Sequence, residues 1–112
     1  MSVIAQGIKE LVKKSIADNS VMVFSKTTCP YCTGAKDLFE DLDVNYKALE
    51  LDTRQDGSEI QKALAEMTGQ KTVPNVFINS KHIGGYSDLD SVYRSGKLES
   101  LFKDAGIKFS KL

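Results

Sequence analysis

Cys29-Pro30-Tyr31-Cys32 holds both cysteines of the chain, two residues apart, and thiols at that spacing can close a disulfide within one turn. The run before them, Val21-Met22-Val23-Phe24, reads as a short buried strand. After them Ala35, Leu38, Phe39 and Leu42 repeat at helical spacing. The motif therefore stands where a strand hands over to a helix. Unpaired N–H groups and the positive end of the helix dipole favour an anion at such an N-terminus, here the thiolate of Cys29, and Lys26 upstream adds a second positive field. The thiolate is the nucleophilic form of cysteine. Pro30 suits the first helical turn, where its missing N–H is not needed. Cys32, one turn further in, faces the same side and is expected to be less exposed.

Other uses of a cysteine pair fit less well. A structural zinc ion wants four ligands, and the chain offers two cysteines and a single histidine, His82, so no metal is expected. A structural disulfide across so short a loop gains least from chain entropy. An inert pair, one thiol exposed and one buried, stays open. Redox chemistry is the reading that a C-x-x-C beside a βαβ pattern favours.

Length and composition suit a small enzyme. At 112 residues and 41% hydrophobic, residues 1–112 read as one domain with a core that needs no disulfide staples. Fifteen basic and fifteen acidic residues cancel and are scattered, which argues against nucleic acid or a membrane surface as the main partner. Lys13-Lys14, the longest basic run, reads as a solvated helix face. No apolar stretch approaches a membrane span, and Met1 to Gly7 lack the apolar core of a signal peptide. The expected compartment is cytoplasmic, where such a pair is kept mostly reduced and is more often catalytic than structural.

The elements that must position the thiols alternate along the chain. Ile4, Ile8, Leu11, Val12 and Ile16 form one stripe, so about Ser2 to Ala17 reads as an amphipathic helix ended by Asp18-Asn19-Ser20. Strand Val21–Phe24, the motif, helix Tyr31–Leu42 and a strand around Asn45–Leu51 follow. Asp56 with Glu59 resembles a capping signal for a helix through Ile60, Leu64 and Met67 that stops at Gly69. After Pro74, strand Val76–Ile78 turns at Asn79-Ser80-Lys81 into a short strand near His82-Ile83, which Gly84-Gly85 breaks. Helices Ser87–Ser95 and about Leu98–Ala105 hinge at Gly96, and the tail Lys108–Leu112 is expected to fray. The order gives a βαβ unit with parallel strands, then a β-hairpin and closing helices, an α/β fold.

Lys26-Thr27-Thr28-Cys29-Pro30-Tyr31-Cys32, then Thr72-Val73-Pro74, then Gly84-Gly85 with Ser87-Asp88 together resemble the dithiol glutaredoxins, members of the thioredoxin fold. The resemblance runs from about Ile8 to Phe102. It implies a four-stranded mixed sheet flanked by helices, with the C-x-x-C at the tip of the helix after the first strand, and glutathione as partner thiol and co-substrate.

Each further motif also has a plain physical reading. Pro74 can be an ordinary strand-starting proline; the family places a cis proline there, which leaves the Val73 backbone free to dock an extended thiol peptide such as glutathione as an added strand. Gly84-Gly85 can be no more than a bulge or tight turn. Just beyond it, Ser87 and Asp88 open a helix whose N–H groups can bind a carboxylate, while the Asp88 side chain attracts an ammonium or simply caps the helix. The γ-glutamyl end of glutathione presents both groups. Lys71 and Gln61 read as solvent-facing; by family position they lie with Lys26 around the glycine carboxylate. Many relatives carry arginine in place of Lys71, so a bidentate fork is lost here. The implied binding set is thus Lys26, Tyr31, Gln61, Lys71, Thr72, Val73, Pro74, Gly85, Ser87 and Asp88. Tyr31 lines the groove with its ring and hydroxyl. His82, with no partner visible in the sequence, reads as a surface strand residue.

The resemblance implies a glutathione-dependent thiol–disulfide oxidoreductase acting on glutathionylated or disulfide-bonded proteins, with a monomer as the expected state. Cys29 attacks; Cys32 resolves protein disulfides and is dispensable for glutathione mixed disulfides. A family-typical potential of roughly −200 to −230 mV suits the glutathione pool. Two rival readings differ in class. In one, Cys29 from two chains and two glutathiones ligate a [2Fe–2S] cluster, which Pro30 disfavours. In the other a flavoprotein reduces a thioredoxin-like enzyme, which the Cys-Pro-Tyr-Cys motif and Gly84-Gly85 with Asp88 disfavour.

Overall fold

The computed structural model describes residues 5–110. The elements run α1 (Gln6–Asp18), β1 (Val21–Ser25), α2 (Pro30–Asp41), β2 (Lys47–Glu50), α3 (Gly57–Thr68), β3 (Asn75–Ile78), β4 (Lys81–Gly84), α4 (Tyr86–Arg94) and α5 (Lys97–Ala105). The strands form one mixed sheet in the order β2-β1-β3-β4, with β1 parallel to β2 and antiparallel to β3. Parallel neighbours need a crossover, and α2 supplies it. Every residue of β1 is buried, which explains why the strand reads as a continuous apolar run rather than an alternating one.

Alternation of side chains across the sheet builds two cores. Val21, Val23, Val76 and Ile78 face Ala35, Phe39, Leu89, Leu98 and Phe102 of α2, α4 and α5. Met22, Phe24 and Phe77 face Val12, Ile16, Ile60 and Leu64 of α1 and α3. The register that pairs Val21 with Ile78 and Met22 with Phe77 keeps each pair on its own face. The sheet is thus covered on both sides, the layered arrangement expected of an α/β fold. Among the described residues no helix is long and apolar enough to cross a membrane.

Several boundaries differ from the sequence reading. The first helix begins at Gln6, and Ser2 to Ile4 of the expected span lie outside the described residues. β2 is shorter than expected because Leu51 leaves the strand, buries itself, and starts a 3-10 turn over Leu51–Thr53. Asp56 occupies the N-cap position of α3 but makes no capping hydrogen bond. The Arg54 guanidinium takes both of its carboxylate oxygens instead, at 2.8 and 3.0 Å. Gly69 ends α3 as expected, with φ 81° and its N–H on Ala65 O at 2.8 Å.

The tail does not fray from Lys108. Phe109 packs with its ring centroid 5.4 Å from that of Phe102, Ser110 N–H donates to Leu42 O at 2.6 Å, and the Ser110 hydroxyl donates to Asp43. Lys111 and Leu112 of that expectation lie outside the described residues. His82 is exposed on β4 as expected, yet it has a partner: its Nε2 lies 2.9 Å from Oδ1 of buried Asn75, and its ring lies tilted against Phe77 with centroids 5.1 Å apart.

Candidate active site

Cys29 is the N-cap of α2, in extended backbone (φ −100°, ψ 114°), with Pro30 in the first helical turn. Its carbonyl accepts Thr33 N–H at 3.1 Å, the opening bond of the helix. Its Sγ accepts Cys32 N–H at 3.2 Å, so one orphan donor of the helix end is aimed at the sulfur. Both cysteines are free; Cys29 is half-buried and Cys32 has no exposed surface. Burial, reinforced by the hydrogen bond with Cys29, pushes the Cys32 thiol up to about 11. At neutral pH Cys32 is therefore a neutral thiol beside Cys29 Sγ.

The loop into Cys29 is held from the 3-10 turn. Thr27 N–H donates to both oxygens of Asp52 at 3.1 Å, and the Thr27 hydroxyl donates to the same carboxylate. These bonds, with the charge of Lys26 nearby, hold the Asp52 carboxyl below its ordinary range. The charge of Lys26 is thus felt at the Asp52 carboxylate. Cys29 N–H closes the loop on Lys26 O at 3.2 Å. Sequence reasoning missed Asp52, because its partner lies 25 residues away.

Across from Cys29 lies the Val73–Pro74 bond, which is cis. Val73 O is 3.7 Å from Cys29 Sγ, and among the described residues Val73 N–H makes no hydrogen bond. Next to it, Gln70 Nε2 donates to Thr72 O at 3.0 Å and to Pro74 O at 2.9 Å. A third wall comes from the end of β4. Gly84 has φ 121°, and a Cβ there would lie 2.2 Å from Asp88 Oδ2, so only glycine lets the chain turn beneath that carboxylate. Gly85 caps α4, and its N–H donates to Asp88 Oδ2 at 3.0 Å. Tyr31, 67% exposed, stands with its ring centroid 6.1 Å from that of Tyr86.

A cleft of about 600 Å³ joins these walls. Of the residues expected around glutathione it brings together Tyr31, Thr72, Val73, Pro74, Gly85, Ser87 and Asp88, and it adds Gln70 and Tyr86. Lys26, Gln61 and Lys71 do not line it: Gln61 Nε2 donates to Lys71 O at 2.8 Å, and the Lys71 side chain is exposed. Sequence reasoning missed Tyr86, although an aromatic between Gly85 and Ser87 was a signal that could have found it. It packs so tightly on Gly34 that a Cβ there would lie 2.9 Å from its ring. Gln70 carried no signal, since one amide in a loop is ordinary.

Comparison with known proteins agrees with this geometry. The family model described as Glutaredoxin matches residues 21–83. A glutaredoxin of Ricinus communis is 55% identical over 94 residues, covering 84% of this chain and 92% of that protein. Among solved structures, a mutated buckwheat glutaredoxin superposes with a TM-score of 0.88 at 42% identity, covering 90% of this chain and 92% of that one. A buckwheat glutaredoxin–glutathione complex superposes with a TM-score of 0.84 at 40% identity, over 91% of this chain and 96% of that one.

Proposed function

The chain belongs to the glutaredoxin family, and from that premise we propose how its residues divide the reaction. The protein is a glutathione-dependent thiol–disulfide oxidoreductase with glutathione as co-substrate. Cys29 thiolate attacks the glutathione sulfur of a protein–glutathione mixed disulfide. The S–S bond breaks, the protein thiolate leaves and takes a proton from solvent, and Cys29 carries the glutathione. A second glutathione thiolate attacks that sulfur, and oxidised glutathione leaves Cys29 as thiolate. With a protein disulfide, Cys29 forms a mixed disulfide with one protein sulfur. Cys32 then loses its proton and attacks Cys29 Sγ, which releases the second protein thiol, and two glutathiones reduce the Cys29–Cys32 bond.

The observation that carries this reading is the setting of Cys29 Sγ: it takes a helix-end N–H at 3.2 Å and lies 3.7 Å from Val73 O at the rim of the cleft. A peptide docking along Val73 by backbone hydrogen bonds brings its own sulfur to that atom. In this reading the γ-glutamyl end reaches Ser87 and Asp88, Tyr31 and Thr72 border the bound peptide, and Lys26, Lys71 and Gln61 act from outside the cleft on the glycine carboxylate. Substrates are glutathionylated or disulfide-bonded proteins, the working unit is the monomer, and the compartment is the cytoplasm. A coupled assay tests it. Glutathione with its reductase should turn the protein over on a glutathionylated peptide, and a thioredoxin-type reductase should not; the opposite result overturns the reading.

A further inference from the structure

Gln70 belongs to none of the motifs that mark the site, yet its side chain spans the two carbonyls that bracket Val73, Thr72 O at 3.0 Å and Pro74 O at 2.9 Å. Its base is fixed as well. Gln70 N–H donates to Thr68 Oγ1 at 3.0 Å, and the Thr68 hydroxyl donates to Leu64 O at 2.7 Å, so the residue hangs from the end of α3. The peptide group is planar, and in a trans peptide the N–H points opposite to the C=O of the same plane. Thr72 C=O and Val73 N–H share one such plane. Anchoring Thr72 O on the Gln70 amide therefore sets the direction of the Val73 N–H, the donor left without a partner among the described residues. The bond to Pro74 O holds the far side of the same loop.

We propose that Gln70 is a positioning residue for glutathione: by tying down the Thr72 and Pro74 carbonyls it aims the Val73 N–H at the backbone of the incoming glutathionyl group. The proposal rests on the reading that glutathione docks along Val73. A donor held in place before the ligand arrives needs no ordering when it binds, so the gain falls on binding and leaves the sulfur chemistry at Cys29 alone.

The test varies a glutathionylated model peptide in the coupled assay with the parent, Gln70→Met and Gln70→Lys. Methionine keeps the length and lack of charge but has no N–H to donate. Its KM for the peptide should rise about threefold to tenfold, the worth of one neutral hydrogen bond, with kcat within about twofold of the parent. Alkylation of Cys29 by iodoacetamide should proceed at the parent rate. Lysine can still donate to both carbonyls, and its KM should stay within about twofold of the parent. Gln70→Met with parental KM, or with a fall in kcat at parental KM, overturns the proposal. So does Gln70→Lys as impaired as Gln70→Met, and the lysine variant alone decides if Gln70→Met melts below the assay temperature. A parent that fails to turn over the glutathionylated peptide overturns the reading of the site and the role of Gln70 with it.

Discussion

Cys29 Sγ receives the Cys32 N–H, whereas the Cys32 sulfur sits without exposed surface and its thiol is pushed up to about 11, first by burial and then by Cys29 itself. In the proposed reaction one sulfur attacks and the other waits. Cys29→Ser should therefore abolish activity on every substrate, while Cys32→Ser should keep reduction of glutathione mixed disulfides and lose most of the activity on protein disulfides. Equal loss in both variants on a glutathionylated peptide would refute the division. The pH dependence bears on Cys32 further. Cys32 must lose its proton to resolve a protein disulfide, so release of the second protein thiol from the Cys29 mixed disulfide should accelerate as pH rises from 7 toward 9, and a flat profile would count against the raised thiol. Asp88 Oδ2 accepts Gly85 N–H at 3.0 Å at the edge of the cleft, where the proposed reading also sets its charge against the ammonium of glutathione. Asp88→Asn keeps an acceptor for that cap but removes the charge. Glutathione affinity, read from turnover against glutathione concentration, should fall about tenfold to a hundredfold, the worth of a charge-assisted contact, with the melting temperature nearly unchanged. Identical curves would leave Asp88 as a helix cap only.

At the scale of elements, what was legible in the sequence was local. The apolar run of β1, the stripe of α1 and the Gly69 stop of α3 each arise from neighbouring residues, and the C-x-x-C falls at the predicted strand-to-helix junction. What was not legible depends on contacts between distant segments. The 3-10 turn Leu51–Thr53 exists because Leu51 is drawn into the core under α1 and α3, and only then does Asp52 reach Thr27. Asp52 acts on the backbone of another segment, which no spacing rule reveals, while Gln70 reaches only two and four residues ahead, where one amide in a loop carries no signal. Gly57 fixes the turn against α3: a Cβ there would lie 1.7 Å from Leu51 O and 2.7 Å from Leu51 C, and a backbone cannot yield as a flexible side chain does. Gly57→Ala should destabilise the protein by about 1 to 3 kcal/mol, the usual range for overpacking. It should also lower turnover, because the displaced turn carries Asp52 away from Thr27. An unchanged thermal melt would show that the turn does not press on α3 in solution.

Taken as a whole, the molecule separates chemistry from closure. Cys29 lies at one end of α2 and Leu42 just past the other, and a helix of 12 residues is about 18 Å long. The tail docks at the far end. Phe109 is half-buried against Phe102, Ile107 N–H donates to Phe102 O at 2.9 Å, and Ser110 joins Leu42 and Asp43. The tail thereby ties α5 to the end of α2 and closes the core that those helices share with β1 and β3. Phe109→Ala removes the aromatic contact without touching the cleft. A fully buried phenylalanine is worth about 3 to 5 kcal/mol and this one is partly solvated, so the loss should be about 1 to 2 kcal/mol. That corresponds to a fall in Tm on the order of 5 to 10 °C for a domain of this size. Turnover at 25 °C should match the parent, since the folded fraction stays high and the cleft lies a helix length away. A parental Tm would mean that the tail is released in solution, and a loss of turnover at full folding would mean that the far end of α2 reaches the thiols after all.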